Sequence, residues 1–194
     1  MKQTVVLITF LLMLTSCERD CEAFDLTRDI VKWHLFPERL QEYTFESDSL
    51  SKTLAEINYR ISEFETIKCM DDCDCTRLLV STYGDESNRF QSIIAYDQDD
   101  DYYTQPISYE IDYMELEFDI SASGNIVGID ADSVPFNDYI DYEYLDTLTL
   151  GDSLYQDVLH VIVPAEQGVT DMWVAKSAGM VAFQEDSVRY IRKR

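Results

Sequence analysis

Ile107-Ser108-Tyr109-Glu110-Ile111-Asp112-Tyr113 carries an apolar side chain at every odd position. Successive side chains of an extended chain point to opposite faces, so this alternation marks a half-buried strand. Immediately beyond it, Met114, Leu116, Phe118 and Ile120 alternate on the even positions. The change of parity between Tyr113 and Met114 predicts a bulge, or a strand that crosses between two packed surfaces. Ser121-Ala122-Ser123-Gly124-Asn125 then reads as a turn, and Ile126-Val127-Gly128-Ile129 resumes the extended chain.

The rest of the body follows the same grammar. Glycine and proline are scarce, at 6 and 4 residues, while tyrosine reaches 13. Aromatic and β-branched residues suit a pleated, half-buried surface. Stretches 158–163, 172–176, 179–184 and 188–191 are spaced like an antiparallel meander. Gly179 is expected at a bulge or a close backbone approach in the last hairpin. The expected fold is therefore mainly β: one antiparallel domain, a strongly curved sheet or sandwich, with at most one or two short helices. Residues 50–67 allow a second reading, because Leu54, Ile57, Ile61, Phe64 and Ile67 recur at spacings of three and four. Thr53 to Glu56 even offers a capping box. We prefer a strand there, since Ala55, Ile57, Tyr59 and Ile61 also share one side of an extended chain. A helix would make the domain α+β. A short helix is also expected over Leu26–Leu35, capped by Asp25 or Thr27 and stopped before Pro37.

The N-terminus supplies an address. Lys2 precedes an apolar run from Val5 to Leu14, followed by Leu14-Thr15-Ser16-Cys17. The run is too short to span a bilayer as a helix and reads as a cleaved signal with a lipobox. Residues 1–16 are expected to be removed, Cys17 to carry the lipid, 17–24 to form an acidic tether, and 25–194 to form the domain. Two or three acyl chains on Cys17 would hold the protein stably, where one chain would not. The acidic residues after Cys17 (Glu18, Asp20, Glu22) point to the outer membrane, on its periplasmic or surface-exposed side.

Removing 16 of 194 residues leaves 178, enough for one core. Losing Lys2 leaves 38 acids against 14 bases, a net charge of −24. That excludes a nucleic-acid partner, whose phosphates demand Lys and Arg. It also leaves membrane attachment to the lipid, since anionic headgroups repel such a surface. Other envelope proteins or glycans remain as partners, the tyrosines offering aromatic faces for sugars.

With Cys17 lipidated, Cys21, Cys69, Cys73 and Cys75 are left. In an oxidising compartment an even number of thiols predicts disulfides. We expect one bridge inside the 69–75 cluster and one from Cys21 to it. A zinc site is the weaker alternative, because the spacing lacks paired C-x2-C knuckles.

Other motifs are weighed and set aside. Gly151-Asp152-Ser153-Leu154 spells a hydrolase signature, and Asp157 with His160 would complete a serine triad on paper. The blocks lie within ten residues of each other, and Asp157 and His160 would point to opposite faces of one strand. A hairpin turn with Gly151 at its tip is the reading we adopt, with no catalytic residue and no cofactor. Asp97, Asp99 and Asp101 have the opening spacing of a calcium loop, but Tyr102 and Ser108 replace the required Gly and Glu, leaving at most a loose Ca2+ site. His34 and His160, the only histidines, are expected at the surface or the core edge. Arg189, Arg192, Lys193 and Arg194 form a basic tail expected to dock on the acidic body or to be solvated.

The lipobox, Tyr43-Thr44-Phe45 after Pro37, the cysteine cluster, Tyr155 to Val161, and Trp173-Val-Ala175-Lys176-Ser-Ala-Gly179-Met-Val181-Ala-Phe183 together resemble a group of Bacteroidota envelope lipoproteins of unknown function. The resemblance implies an antiparallel β domain without known catalysis. Ser177-Ala178 before Gly179 and the acidic middle depart from the pattern. The expected role is a lipid-anchored, non-catalytic binding or structural accessory protein of the envelope. The alternative is a carrier of an apolar, lipid-like ligand, which would need a cavity within the curved sheet. A hydrolase using Ser153 comes third.

Overall fold

The computed structural model describes residues 29–68, 72–97, 104–111, 114–121, 124–130, 141–163 and 168–193. A five-residue 3-10 turn, Asp29–Trp33, precedes twelve strands. These are β1 (Glu42–Glu46), β2 (Ser51–Lys68), β3 (Asp72–Gly84), β4 (Arg89–Asp97), β5 (Thr104–Ile111), β6 (Met114–Ser121) and β7 (Ile126–Asp130), then β8 (Asp141–Leu150), β9 (Ser153–Ile162), β10 (Val169–Ala175), β11 (Gly179–Glu185) and β12 (Val188–Arg192). They form one antiparallel sheet curled into a half-barrel, as the alternation predicts. Its order is β7-β6-β5-β4-β3-β2-β1-β12-β11-β10-β9-β8. Two meanders, β1–β7 and β8–β12, thus meet where β1 pairs β12.

That seam has two rungs, Phe45 opposite Arg192 and Glu46 opposite Ile191. Other contacts reinforce it. The Lys193 amide donates to Thr44 O at 2.8 Å, and its ammonium lies 2.6 Å from Glu46. Lys52 pairs with Glu185 and sits 3.5 Å from Asp85, while Asn88 donates to Glu185 at 3.0 Å. Phe183 stacks on Tyr190 and meets Phe45 and Phe90 at centroid distances of 5.2 and 5.1 Å. Within the basic tail, Arg192 donates to Ala178 O at 2.5 Å and Arg189 lies 4.5 Å over Trp173, while Arg194 lies outside the described residues.

Several expectations change. The parity switch at 113/114 is a hairpin: Ile111 pairs with Met114, and Ile107, Tyr109 and Ile111 share one core with Leu116, Phe118 and Ile120, Tyr113 lying outside the described residues. A two-residue connection reverses the chain and restores the face, which a bulge would not do. Residues 51–68 are one strand, excluding the α+β alternative. Its register slips at Ile57, between Glu56 and Asn58, leaving Ile57 and Ile61 exposed while Leu54 is buried. The helix expected over Leu26–Leu35 is only the 3-10 turn, residues 26–28 lying outside the described chain. Trp33, His34, Leu35 and Phe36 are all fully buried, so this segment has no solvent face to make it an amphipathic helix. The Ser121–Asn125 turn is present, with Gly124 at φ 74 and its amide donating to Ser121 O. No helix among the described residues is long and apolar enough to cross a membrane.

Candidate functional site

Cross-strand register builds the inner face. Leu79, Ile94, Ile107 and Phe118 are paired neighbours on β3 to β6, and all are buried. One step along, Ser81, Ser92, Tyr109 and Leu116 form the next row. From the other meander come Val161, Met172, Phe183 and Tyr190. Residues 30–36 enter between these rows and join the same core. We call residues 29–37 the plug.

Hydrogen bonds fix the plug to both meanders. Trp33 Nε1 donates to Gly124 O at 2.9 Å, and the Tyr109 hydroxyl donates to Trp33 O at 2.5 Å. On the far side the Ser177 amide donates to Lys32 O, and the Met180 amide donates to Leu35 O at 2.7 Å. Gly179 makes this contact possible. A Cβ there would lie 2.3 Å from Leu35 O and 2.5 Å from Pro37 Cδ, and its φ of +76 is one that only glycine adopts freely. The expected close approach is therefore real, and the plug is what approaches.

Two serines in an apolar face require partners. Ser92 Oγ accepts the Leu35 amide at 3.3 Å and lies 3.2 Å from Ser81 Oγ. His34 completes the group. Its Nδ1 lies 2.9 Å from Phe36 O, so Nδ1 carries the proton and Nε2, 3.4 Å from Ser81 Oγ, is left to accept. Burial lowers the His34 pKa to about 4, although the bond to Phe36 acts the other way. This histidine is neutral core, correcting its expected place at the surface or core edge. Burial likewise pushes the Tyr109 hydroxyl far up, keeping it a donor.

A second feature opens beside the plug. A cleft of about 620 Å³ is lined by Lys32, Leu154, Tyr155, Asp157, Lys176 and Ser177, among others. Asp157 adopts φ 51 in mid-strand, and the β8–β9 ladder passes from Leu145–Val158 to Thr147–Gln156 without it. The register is the same on both sides of Asp157, which stands opposite Asp146, and its Oδ1 accepts the Tyr144 hydroxyl at 2.7 Å. Burial, followed by the hydrogen bond to Asp157, pushes the Tyr144 pKa up to about 12. The Lys176 amide donates to Asp157 O at 2.9 Å, and the Lys176 ammonium stands 5.8 Å over the Trp33 ring. Sequence reasoning missed both plug and cleft. A run of four large residues ending in Phe36-Pro37 was the available signal for the plug.

The residues of the hydrolase motif are not brought together. Ser153 and His160 lie on the same strand, seven residues and roughly 23 Å apart. Asp157 binds Tyr144, while His160 Nε2 lies 2.9 Å from Asp171 and its ring stacks on Trp173 at 4.5 Å. Gly151 does sit at the β8–β9 turn, with φ 58. Cys17, Cys21 and Cys69 lie outside the described residues. Cys73 and Cys75 occupy β3 opposite Ile67 and Glu65, their side chains outside the description. Asp97 ends β4, with Asp99 and Asp101 outside the described residues. Among the described residues no group of three His, Cys, Asp or Glu could hold a metal. No protein-family model, curated protein or solved structure matches this chain.

Proposed function

We propose that this chain is a non-catalytic binding or structural accessory protein of a bacterial envelope, anchored by lipid at Cys17. One observation carries the reading: the segment that follows the anchor is itself the filling of the half-barrel. Only twelve residue steps separate Cys17 from Asp29, a reach of about 40 Å at full extension. The anchor would therefore hold the domain close to the bilayer through its own core. Burying Trp33, Leu35 and Phe36 is worth about 2 kcal/mol each, before the hydrogen bonds are counted. An apolar ligand on the inner face would have to overcome that, which weighs against the carrier alternative. The separation of Ser153 from His160 weighs against the hydrolase.

The test is expression of the full chain in an exporting bacterium. Labelled palmitate should enter the protein and be lost in Cys17→Ala. Native mass spectrometry should find the covalent acyl chains and no further lipid. A stoichiometric non-covalent lipid would move the assignment to a carrier.

A further inference from the structure

We propose that Cys75 forms a disulfide with Cys21, tying the tether to β3 before the chain enters the half-barrel as the plug. The inference rests on the reading that the chain is exported and lipidated at Cys17, which leaves four thiols to pair in an oxidising compartment. Each bridge forms by thiol–disulfide exchange: two thiols give up two protons and two electrons to a protein disulfide of that compartment. Four cysteines allow three pairings. The register of β2 on β3 removes two of them.

Cys73 and Cys75 stand two residues apart on one strand. Two strand steps separate Cβ atoms by about 6.7 Å, against the roughly 3.5–4.5 Å of a disulfide, so these two do not bridge. Cys69 is bonded to Lys68, whose partner across the ladder is Asp72. Three steps along β3 and one across the ladder put Cys75 about 11 Å from Lys68. The single step from Lys68 brings Cys69 no nearer to Cys75 than about 7.4 Å, where a bridge already demands backbone movement. Cys75 therefore has no partner inside the cluster. Cys21 remains for it, and Cys69 and Cys73 are left to each other.

The plug brings Cys21 to the right end of the half-barrel. Phe36 meets Tyr83 at a centroid distance of 4.3 Å, and His34 lies 3.4 Å from Ser81. The plug thus runs back from Pro37 towards Asp29 as β3 runs back from Tyr83 towards Cys75. Trp33 donates to Gly124 O, past the end of β6 that lies on the Cys75 side of the Leu79–Phe118 row. Ser81 is six strand steps from Cys75, about 20 Å, and the eight steps from Asp29 back to Cys21 span up to about 27 Å. Among the described residues, β2 from Asn58 onwards and β3 before Thr76 have only each other as strand partners. A two-stranded ribbon is marginal by itself in water, and a bridge at Cys75 fastens the point where this one leaves the sheet.

The experiment maps the lipidated full chain, alkylated under denaturing, non-reducing conditions and cut with trypsin and a protease that cleaves before aspartate. Asp72 and Asp74 then separate the three clustered cysteines. Asp20–Phe24 should be joined to Asp74–Arg77, and Cys69–Met70 to Asp72–Cys73, with no alkylated cysteine until reductant is added. Asp20–Phe24 joined to the Cys69 or Cys73 fragment, a link between Cys73 and Cys75, or alkylated thiols with zinc in the native protein or without it, would overturn the proposal. As a second reading, Cys75→Ser should open Cys21 alone to alkylation, and Cys73→Ser should open Cys69 alone. The acylated Cys17–Arg19 peptide reports the anchor separately: its loss fails the envelope reading, whereas a wrong pairing beside it fails this proposal alone.

Discussion

The two meanders solve the same burial problem differently. Among the described residues of β1–β7 the apolar core lies on the inner face. The outer face carries polar ladders such as Thr82 to Gln91 at 2.8 Å and Gln91 to Glu110 at 2.6 Å. In β9–β11 both faces carry buried apolar residues. Leu159, Met172, Val174 and Phe183 join the inner core, while Val158, Trp173, Ala175 and Ala182 form a second cluster with Leu150 and Tyr155. The first meander therefore depends on the plug for its packing partner, whereas the second supplies part of its own. One consequence is that damage to the plug should loosen β3–β6 before β9–β11.

The largest expected effect comes from Trp33→Ala. A buried tryptophan truncated to alanine costs about 4 kcal/mol. Hydrogen exchange should accelerate in β3–β6 more than in β9–β11, and equal acceleration would remove the asymmetry. Gly179→Ala attacks the same contact from the second meander. Its Cβ would collide with Leu35 O in a left-handed backbone, at a cost of about 3 kcal/mol in a denaturant melt.

Acid should act through His34. Its folded pKa, about 4, lies below the ordinary value of 6.5, so the unfolded chain takes up the proton first. This contribution is intact above pH 6.5 and is lost as pH falls towards 4, about 3 kcal/mol in all. His34→Gln should flatten that part of the stability profile, whatever the carboxylates add to both proteins. Since this loss is smaller than the burial energy of the plug, acid should weaken the fold without expelling the segment. The smallest effect is expected at Gly151→Ala, where φ is +58 but nothing lies within 4 Å, so only backbone strain of about 1 kcal/mol remains. A larger loss there would mean that the β8–β9 tip is packed, contrary to the description.

The contrast between meanders also explains what the sequence disclosed. Alternation in Ile107–Ile111 reported a one-sided strand directly, whereas the run Met180-Val181-Ala182-Phe183, read only as one strand of a meander, is buried on both sides. Gly179 announced a close approach without naming the approaching chain. The parity change at Tyr113 was ambiguous, because a two-residue hairpin and a bulge both shift the apolar set by one position. The plug was illegible for a deeper reason. Trp33-His34-Leu35-Phe36 has no period, and its burial depends on Ser92, Tyr109, Gly124 and Met180, all distant in the chain. Asp157 likewise looked like an ordinary strand residue, since nothing local forces its backbone into the left-handed region.

The central claim is that residues 30–36 fill the half-barrel, and the chain's two tryptophans make it directly measurable. Trp173→Phe leaves Trp33 as the sole indole, whose fluorescence in the folded full chain can be titrated with acrylamide. The account predicts a blue-shifted emission almost untouched by the quencher until denaturant unfolds the protein. Red-shifted emission, quenched as readily in the folded chain as in the unfolded one, would contradict it.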